Sequence, residues 1–387
     1  MWTAESWYME SRKWAEANQE FVRKLAALHA KTLKHALPGV PAEEIFRMVK
    51  DLNRQRLDAV PSYVKYPELR GMRSLLEAEW RGLKDGAGLS DEYLAVYCGG
   101  LYFYHHYIAC GKIRPLRAIG ADESANAGRC SWIFFPDSDH GPLIANNLDS
   151  TPEEPFGPPE WPMLNEHVIA GGVSSGVYLD ETPPEIFPAP VMKIAARYCR
   201  NTKETVELLE RYNYFWGPCN LLVVDRQKNV AMIEKTSCRI GVRWSPDGFG
   251  FITAMTAEHP DIHAYLEDRR IASIKARNLP ANNCDMIYWK KQDERRALMN
   301  QLLDEARRNP TLEAMRAFIQ FRDPERGNVC GNGDVYAPGC PKSEYTIRTS
   351  IWLLREGRAM WWAKEDERPS YENRKPDVTF TNALLWD

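Results

Sequence analysis

A cysteine, an asparagine and an aspartate are spaced so that a simple fold would bring them together. Cys130 opens the apolar run Cys130-Ser131-Trp132-Ile133-Phe134-Phe135, the polar stretch "PDSDHG" follows, and a second run, "PLIANN", leads into Asn147-Leu148-Asp149. The intervening residues are turn formers, so the two runs should pair as an antiparallel hairpin. In that pairing the start of the first strand lies beside the end of the second, placing Cys130 next to Asn147 and Asp149 at one rim of a sheet. A thiol with a base beside it is an activated nucleophile. The plainer alternative is a small core thiol, because free cysteines are commonly buried and inert.

The elements around this hairpin set its surroundings. Trp132, Ile133, Phe134 and Phe135 are apolar at consecutive positions and cannot all face one side of a pleated strand. A sheet covered on both faces accommodates them. The first hundred residues read as helices: "WAEANQEFVRKLAALHAKTLKHAL", then "PAEEIFRMVKDLNRQRLDAV" opening on Pro41 and acidic residues, then "LRGMRSLLEAEWRGLKDGAG" stopping in glycines, then a helix capped by Ser90. From Cys130 onward, "CSWIFF", "GPLIANN", "HVIAGGVSSGVYL", "CNLLVVDRQKNVAMIEKT" and "RIGVRW" read as short strands. A helical pair broken near Asn201 and a block over "DERRALMNQLLDEARRNPTLEAMRAFIQF" interrupt them, and "TIRTSIWLLRE" and "RAMWWAKE" return to strand. This order predicts a layered protein of helices and largely antiparallel sheet. The five prolines between Pro152 and Pro162 read as a rigid surface loop.

Composition narrows the function classes. The chain has 387 residues, 44% hydrophobic and 27% charged, with a net charge of −3 and no long basic run, which argues against nucleic-acid binding. The first twenty residues carry charges throughout, so neither a signal peptide nor a membrane span is expected there. Nine scattered cysteines without a Cys-x-x-Cys pair favour free thiols and a cytoplasmic location.

In its cysteine and the Asn-x-Asp that follows, the hairpin resembles the nucleophile hairpin of the N-terminal-nucleophile hydrolases. More narrowly, it is similar to the linear-amide hydrolases: choloylglycine hydrolases, penicillin V acylases and the acyl-coenzyme A:6-aminopenicillanic acid acyltransferase family. The matching residues are Cys130-Ser131 and Asn147-Leu148-Asp149. Upstream "EWRGLKDGAGLSDEYLAV" and, in order downstream, "GVSSGVYL", "NTKETVELLERY", "CNLLVVDRQKNVAMIE", "RGNVCGN" and "TIRTSIWLLREGRAMWWA" resemble successive blocks of the acyltransferase family, so the likeness runs from Glu79 to Ala363.

The resemblance implies an α+β fold, a four-layer αββα sandwich with a helical N-terminal segment. Residues 1–129 would form a pro-segment or small-subunit-like region, and 130–387 the hydrolase core. It implies a cysteine amidohydrolase or acyltransferase that cleaves a non-peptide linear amide through an acyl-thioester at Cys130. The substrate would be a small acyl-amide or acyl-thioester, with no cofactor, metal, nucleic acid or membrane involved. In such enzymes the nucleophile is the first residue of its chain, and its own α-amine, with an unperturbed pKa of about 7.7–8.0, relays the proton. Self-cleavage between Arg129 and Cys130 would expose that amine. The two fragments would stay associated, and the assembled protein could form homo-oligomers. Asp149 would hold the new ammonium or orient the backbone, and Asn147 would shape the strand end.

The chain departs from the pattern in three places. The family's oxyanion asparagine sits in a Thr-Asn-His block, whereas "ITAMTAEHPDI" has Thr256 followed by Ala257, with His259 one place late. Asn220, His259 and backbone N–H groups are the candidate substitutes, His259 also as a base. Asn146 stands where a bile-salt-hydrolase-like arginine would be, and Arg129 replaces the acyltransferase's glycine before the cleaved bond.

Other signals point elsewhere. Gly172–Gly176, "GVSSG", matches a nucleophile elbow and makes Ser174 an alternative serine nucleophile. The prolines after it exclude the immediate helix that motif requires. A binding protein of the same fold, without catalysis, is a further alternative. His105, His106, Cys98 and Cys110 lack recognised zinc spacing and read as packing or pocket lining. The Glu/Arg-rich run Asp293–Arg308 reads as a solvated helix face.

Overall fold

A computed structural model describes residues 3–63, 71–103, 130–150, 162–174, 192, 195–196, 198–212, 219–236, 239–276, 278–331, 338, 345–363, 375–380 and 386. Among the described residues, five helices precede the first strand: α1 (Ala4–Ala17), α2 (Gln19–Ala36), α3 (Ala42–Tyr63), α4 (Met72–Ala87) and α5 (Asp91–Phe103). Thr3 and Ser6 close a capping box on α1, which satisfies amide groups that the first helical turn leaves over. The single helix expected from Trp14 to Leu37 divides at Asn18, whose extra-helical backbone separates α1 from α2. Gly88 ends α4 in the left-handed conformation at φ 62°, the C-terminal stop expected of glycine.

α1 lies unusually close to α4. A Cβ on Gly82 would collide with the Tyr8 carbonyl oxygen, so no side chain fits between the two helices there.

Beyond the helices come β1 (Ser131–Phe135), β2 (Leu143–Ser150), β3 (Val168–Ser174), α6 (Thr202–Arg211), β4 (Cys219–Asp225), β5 (Val230–Lys235), β6 (Ile240–Ser245), β7 (Gly250–Thr253), α7 (Pro260–Ala276), α8 (Cys284–Arg307) and α9 (Leu312–Ile319). The remaining strands are β8 (Arg322–Asp323), β9 (Gly327–Asn328), β10 (Tyr345–Leu353), β11 (Arg358–Ala363) and β12 (Asp377–Phe380). One sheet has the order β12-β11-β10-β2-β1-β7 and a second β3-β4-β5-β6, with β8-β9 as a small ribbon. The neighbours pair antiparallel. The protein is thus a mixture of helices and antiparallel sheets.

The consecutive apolar residues of β1 divide between two cores, as a strand covered on both faces requires. Phe134 packs with Ile144, Leu222, Val224 and Met232, joining the inner faces of the two sheets. Ile133 and Phe135 pack with Leu298, Met299 and Leu302 of α8 and with Phe318 of α9. A third cluster sets Trp7, Met72 and Leu76 of α1 and α4 against Leu221, Val223 and Ile233 on the second sheet's other face. Residues of the N-terminal helices therefore share a core with β4 and β5.

Two features differ from expectation. α7 was not anticipated, because its apolar residues Ile262, Leu266 and Ile274 are sparse among charges. Cys284 is disulfide-bonded, against the expectation of free thiols alone; spacing along a chain does not report which cysteines meet in space. No helix among the described residues is long and apolar enough to cross a membrane.

Candidate active site

The hairpin forms as its turn residues predict, with Ser131 opposite Asn147 and Phe135 opposite Leu143. Cys130 precedes β1, and its carbonyl accepts from the Ala254 amide just past β7. Its side chain is half-buried and packs, with Trp132 and Trp289, against the core between the two sheets. Asp149 N–H lies 3.4 Å from Cys130 Sγ, and the thiol reaches the Asp149 carbonyl at 3.6 Å. The main chain of Asp149 thus cradles the sulfur.

Cys130, Asn147 and Asp149 lie at one rim, but the two side chains of β2 leave on the face away from the thiol. Successive side chains along a strand alternate, so Asn147 and Asp149 share the face that Cys130 leaves. The Asp149 carboxylate accepts from Thr346 Oγ1 at 2.5 Å and from the Arg295 guanidinium at 3.4 Å, both partners being buried. Arg295 also donates to Thr253 Oγ1 at 3.1 Å and to the Val329 carbonyl at 2.8 Å, tying α8 to β7. Asn147 donates to the Ile319 carbonyl at 2.8 Å and accepts from Thr349 at 2.8 Å, closing the sheet onto α9. Both side-chain ends of Asn147 are thus occupied in tying the strand end to its neighbours.

The turn after β7 runs beside Cys130 and is held from three directions. Asn220 on β4 donates to the carbonyls of Thr253 at 3.0 Å and Thr256 at 2.9 Å. Arg270 of α7 donates to the Met255 carbonyl, and Thr256 Oγ1 donates to Asp293. Met255 has φ 64°, a left-handed conformation that a non-glycine residue holds only under restraint from its surroundings. Burial pulls the Arg270 guanidinium below its ordinary pKa, opposed by Asp293 at 3.2 Å.

Two of the oxyanion candidates have their surroundings fixed by these contacts. The Asn220 amide nitrogen spends both its hydrogen bonds on backbone carbonyls, clipping the turn after β7 to β4. His259 packs over Gly241 of β6, where an added Cβ would meet its ring at 2.5 Å. Its main-chain N–H, just before α7, donates at 2.6 Å to Glu234 of β5, a buried carboxylate that pairs with Arg243. This placement makes His259 part of the junction between β6 and α7.

Ser174 is the last residue of β3 and pairs with Cys219. Next to it, Gly171 and Gly172 let the sheets approach. A Cβ on Gly171 would collide with the Trp132 ring, and Trp132 Nε1 donates to the Gly172 carbonyl at 3.1 Å. The first glycine of "GVSSG" and the position before it therefore serve a close sheet contact. Arg129 and the bond expected to be cleaved lie outside the described residues, as do His105, His106 and Cys110.

Arg295, Thr346 and Gln292 were missed by sequence reasoning. Arg295 lies in the run read as a solvated face, yet it is buried, as are Gln292, Leu298, Met299 and Leu302. The signal was present, because Gln292 and Arg295 continue the helical stripe of Met299, Leu302 and Ala306.

No protein-family model matches this chain, and no curated protein matches it. Among solved structures it is similar to a single-residue variant of conjugated bile acid hydrolase from Clostridium perfringens, at 12% identity and a TM-score of 0.35, covering 68% of this chain and 89% of that one. It is likewise similar to a second mutant of the same enzyme, at 12% identity and a TM-score of 0.33, covering 67% and 86%.

Proposed function

We propose that this protein is a cysteine amidohydrolase or acyltransferase of the N-terminal-nucleophile type, acting on a non-peptide linear amide through Cys130. The observation that carries the reading is the half-buried Cys130 thiol lodged against the Asp149 main chain at the rim of a two-sheet core. The succession of helices, sheet, sheet and helices through the three core clusters supports the αββα sandwich.

In this reading Cys130 first attacks the Arg129 carbonyl. The acyl group passes from nitrogen to sulfur, and water hydrolyses the thioester, leaving a carboxylate at Arg129 and an α-amine at Cys130. The amine then takes the thiol proton as Sγ attacks the substrate carbonyl, and delivers it to the departing amine of the substrate. Water, or a second amine in acyl transfer, releases the acyl group from sulfur. Residues 1–129 stay bound to 130–387 because Trp7, Met72 and Leu76 lose their apolar cover if the fragments part. The cytoplasmic location expected from the cysteines belongs to this proposal as well.

The test is turnover of the p-nitroanilides of acetic, octanoic and phenylacetic acids. Wild type releases p-nitroaniline from at least one, and Cys130→Ala releases none. Equal turnover by Cys130→Ala removes Cys130 from the mechanism.

A further inference from the structure

The amidase reading leaves one group unassigned: the donor for the oxyanion that forms as sulfur adds to the carbonyl. Ala257 has no side-chain donor, and the Asn220 amide is committed to Thr253 and Thr256. Gln292 of α8 is fully buried, yet neither its Nε2 nor its Oε1 has a hydrogen-bond partner among the described residues. A buried carboxamide costs free energy unless its donors and acceptor are used, so a fully unspent one calls for a polar occupant.

Its position is fixed by its neighbours. One helical turn before it, Tyr288 and Trp289 belong to the core cluster that holds Cys130. One turn after it, Arg295 reaches Thr253 and Asp149. The adjacent Asp293 takes the Thr256 hydroxyl. Gln292 thus lies on α8 between residues that share a core cluster with Cys130 and residues that hold the strand end and the turn after β7 from the other face of the sheet.

Resting on the amidohydrolase reading, we propose that the Gln292 carboxamide donates to the oxyanion of the tetrahedral intermediate at Cys130, in place of the asparagine missing at position 257. The intermediate carries one negative charge on the former carbonyl oxygen. The Gln292 N–H stabilises it without transferring a proton, and the charge returns to the carbonyl when the amine leaves. The carboxamide is a neutral donor held in a dry site, where a hydrogen bond to a developing charge is worth most.

The experiment uses the full-length protein after any self-processing, with whichever p-nitroanilide the wild type turns over fastest. Gln292→Leu should lower kcat about 10²–10³-fold with KM nearly unchanged, the signature of an interaction made only in the transition state. Alkylation of Cys130 by iodoacetamide should proceed at the wild-type rate, because that reaction forms no oxyanion. Adding Ala257→Asn to the Leu variant should recover part of the lost kcat. Gln292→Met, closer in shape, serves if the Leu variant does not fold. Wild-type kcat in a folded variant overturns the inference alone, as does a parallel loss of alkylation, which would mark a structural role. A wild type inert towards every anilide overturns the amidohydrolase reading, and this inference with it.

Discussion

Asp149 meets Cys130 with its main chain and turns its carboxylate through the sheet to Arg295. The N–H and carbonyl of Asp149 lie 3.4 and 3.6 Å from Sγ, while its carboxylate lies 3.4 Å from the Arg295 guanidinium on the opposite face. The carboxylate thus anchors, from the other face, the strand end whose backbone lies against the sulfur.

Breaking that buried pair from one side leaves the other charge without its counterpart. Asp149→Asn should destabilise the protein by about 3–5 kcal/mol, since removal of one member of a buried ion pair has that cost. The double variant Asp149→Asn, Arg295→Met should lose less than the two single variants combined. Urea unfolding of all four proteins measures both. Strictly additive losses would mean that the pair does not act as a unit.

The thiols should differ in reactivity. Burial pushes Cys98, Cys219 and Cys330 up to about 12, so each is almost wholly protonated near neutrality. Cys130 is half-buried at the rim. Iodoacetamide near pH 7.5 should modify Cys130 well before these three, which should react only after denaturation. Peptide mapping by mass spectrometry reads the order, and early labelling of Cys98, Cys219 or Cys330 would contradict their raised pKa values.

These differences show what the pattern along the chain does and does not convey. The Cys130–Asp149 hairpin was legible because turn residues and apolar runs fix local pairing, and its register matches. That Asp149 faces away from the thiol follows from strand alternation, but its partner does not. Arg295 is 146 residues further on, and only the docking of α8 on the first sheet brings it there. Asn220 looked available as a donor because sequence shows a residue type and not the carbonyls that fold against it. α7 escaped notice because only a few of its residues are buried and they set no clear apolar stripe.

His29 should make stability depend on acidity. It sits half-buried between α2 and α5, and desolvation lowers its pKa, opposed by the Val96 carbonyl at 3.2 Å. The unfolded chain therefore binds a proton that the folded one resists. The contribution of neutral His29 is complete above about pH 6.5, declines on acidification, and is lost once pH falls through the lowered folded-state value. The drop in Tm between about pH 7.5 and about pH 5 should be smaller in His29→Gln than in wild type. An identical drop in both would exclude His29 as a source of acid sensitivity.

The most direct test of the nucleophile assignment is the intact mass of the purified protein under denaturing conditions. The α-amine mechanism predicts two species, residues 1–129 and residues 130–387, the second beginning with cysteine, and a single full-length species for Cys130→Ala. Both wild-type fragments should leave a native gel-filtration column together, held by the core that α1 and α4 share with β4 and β5. A wild type that remains one full-length chain while hydrolysing anilides would contradict the account, because an internal Cys130 has no α-amine and would need a separate base.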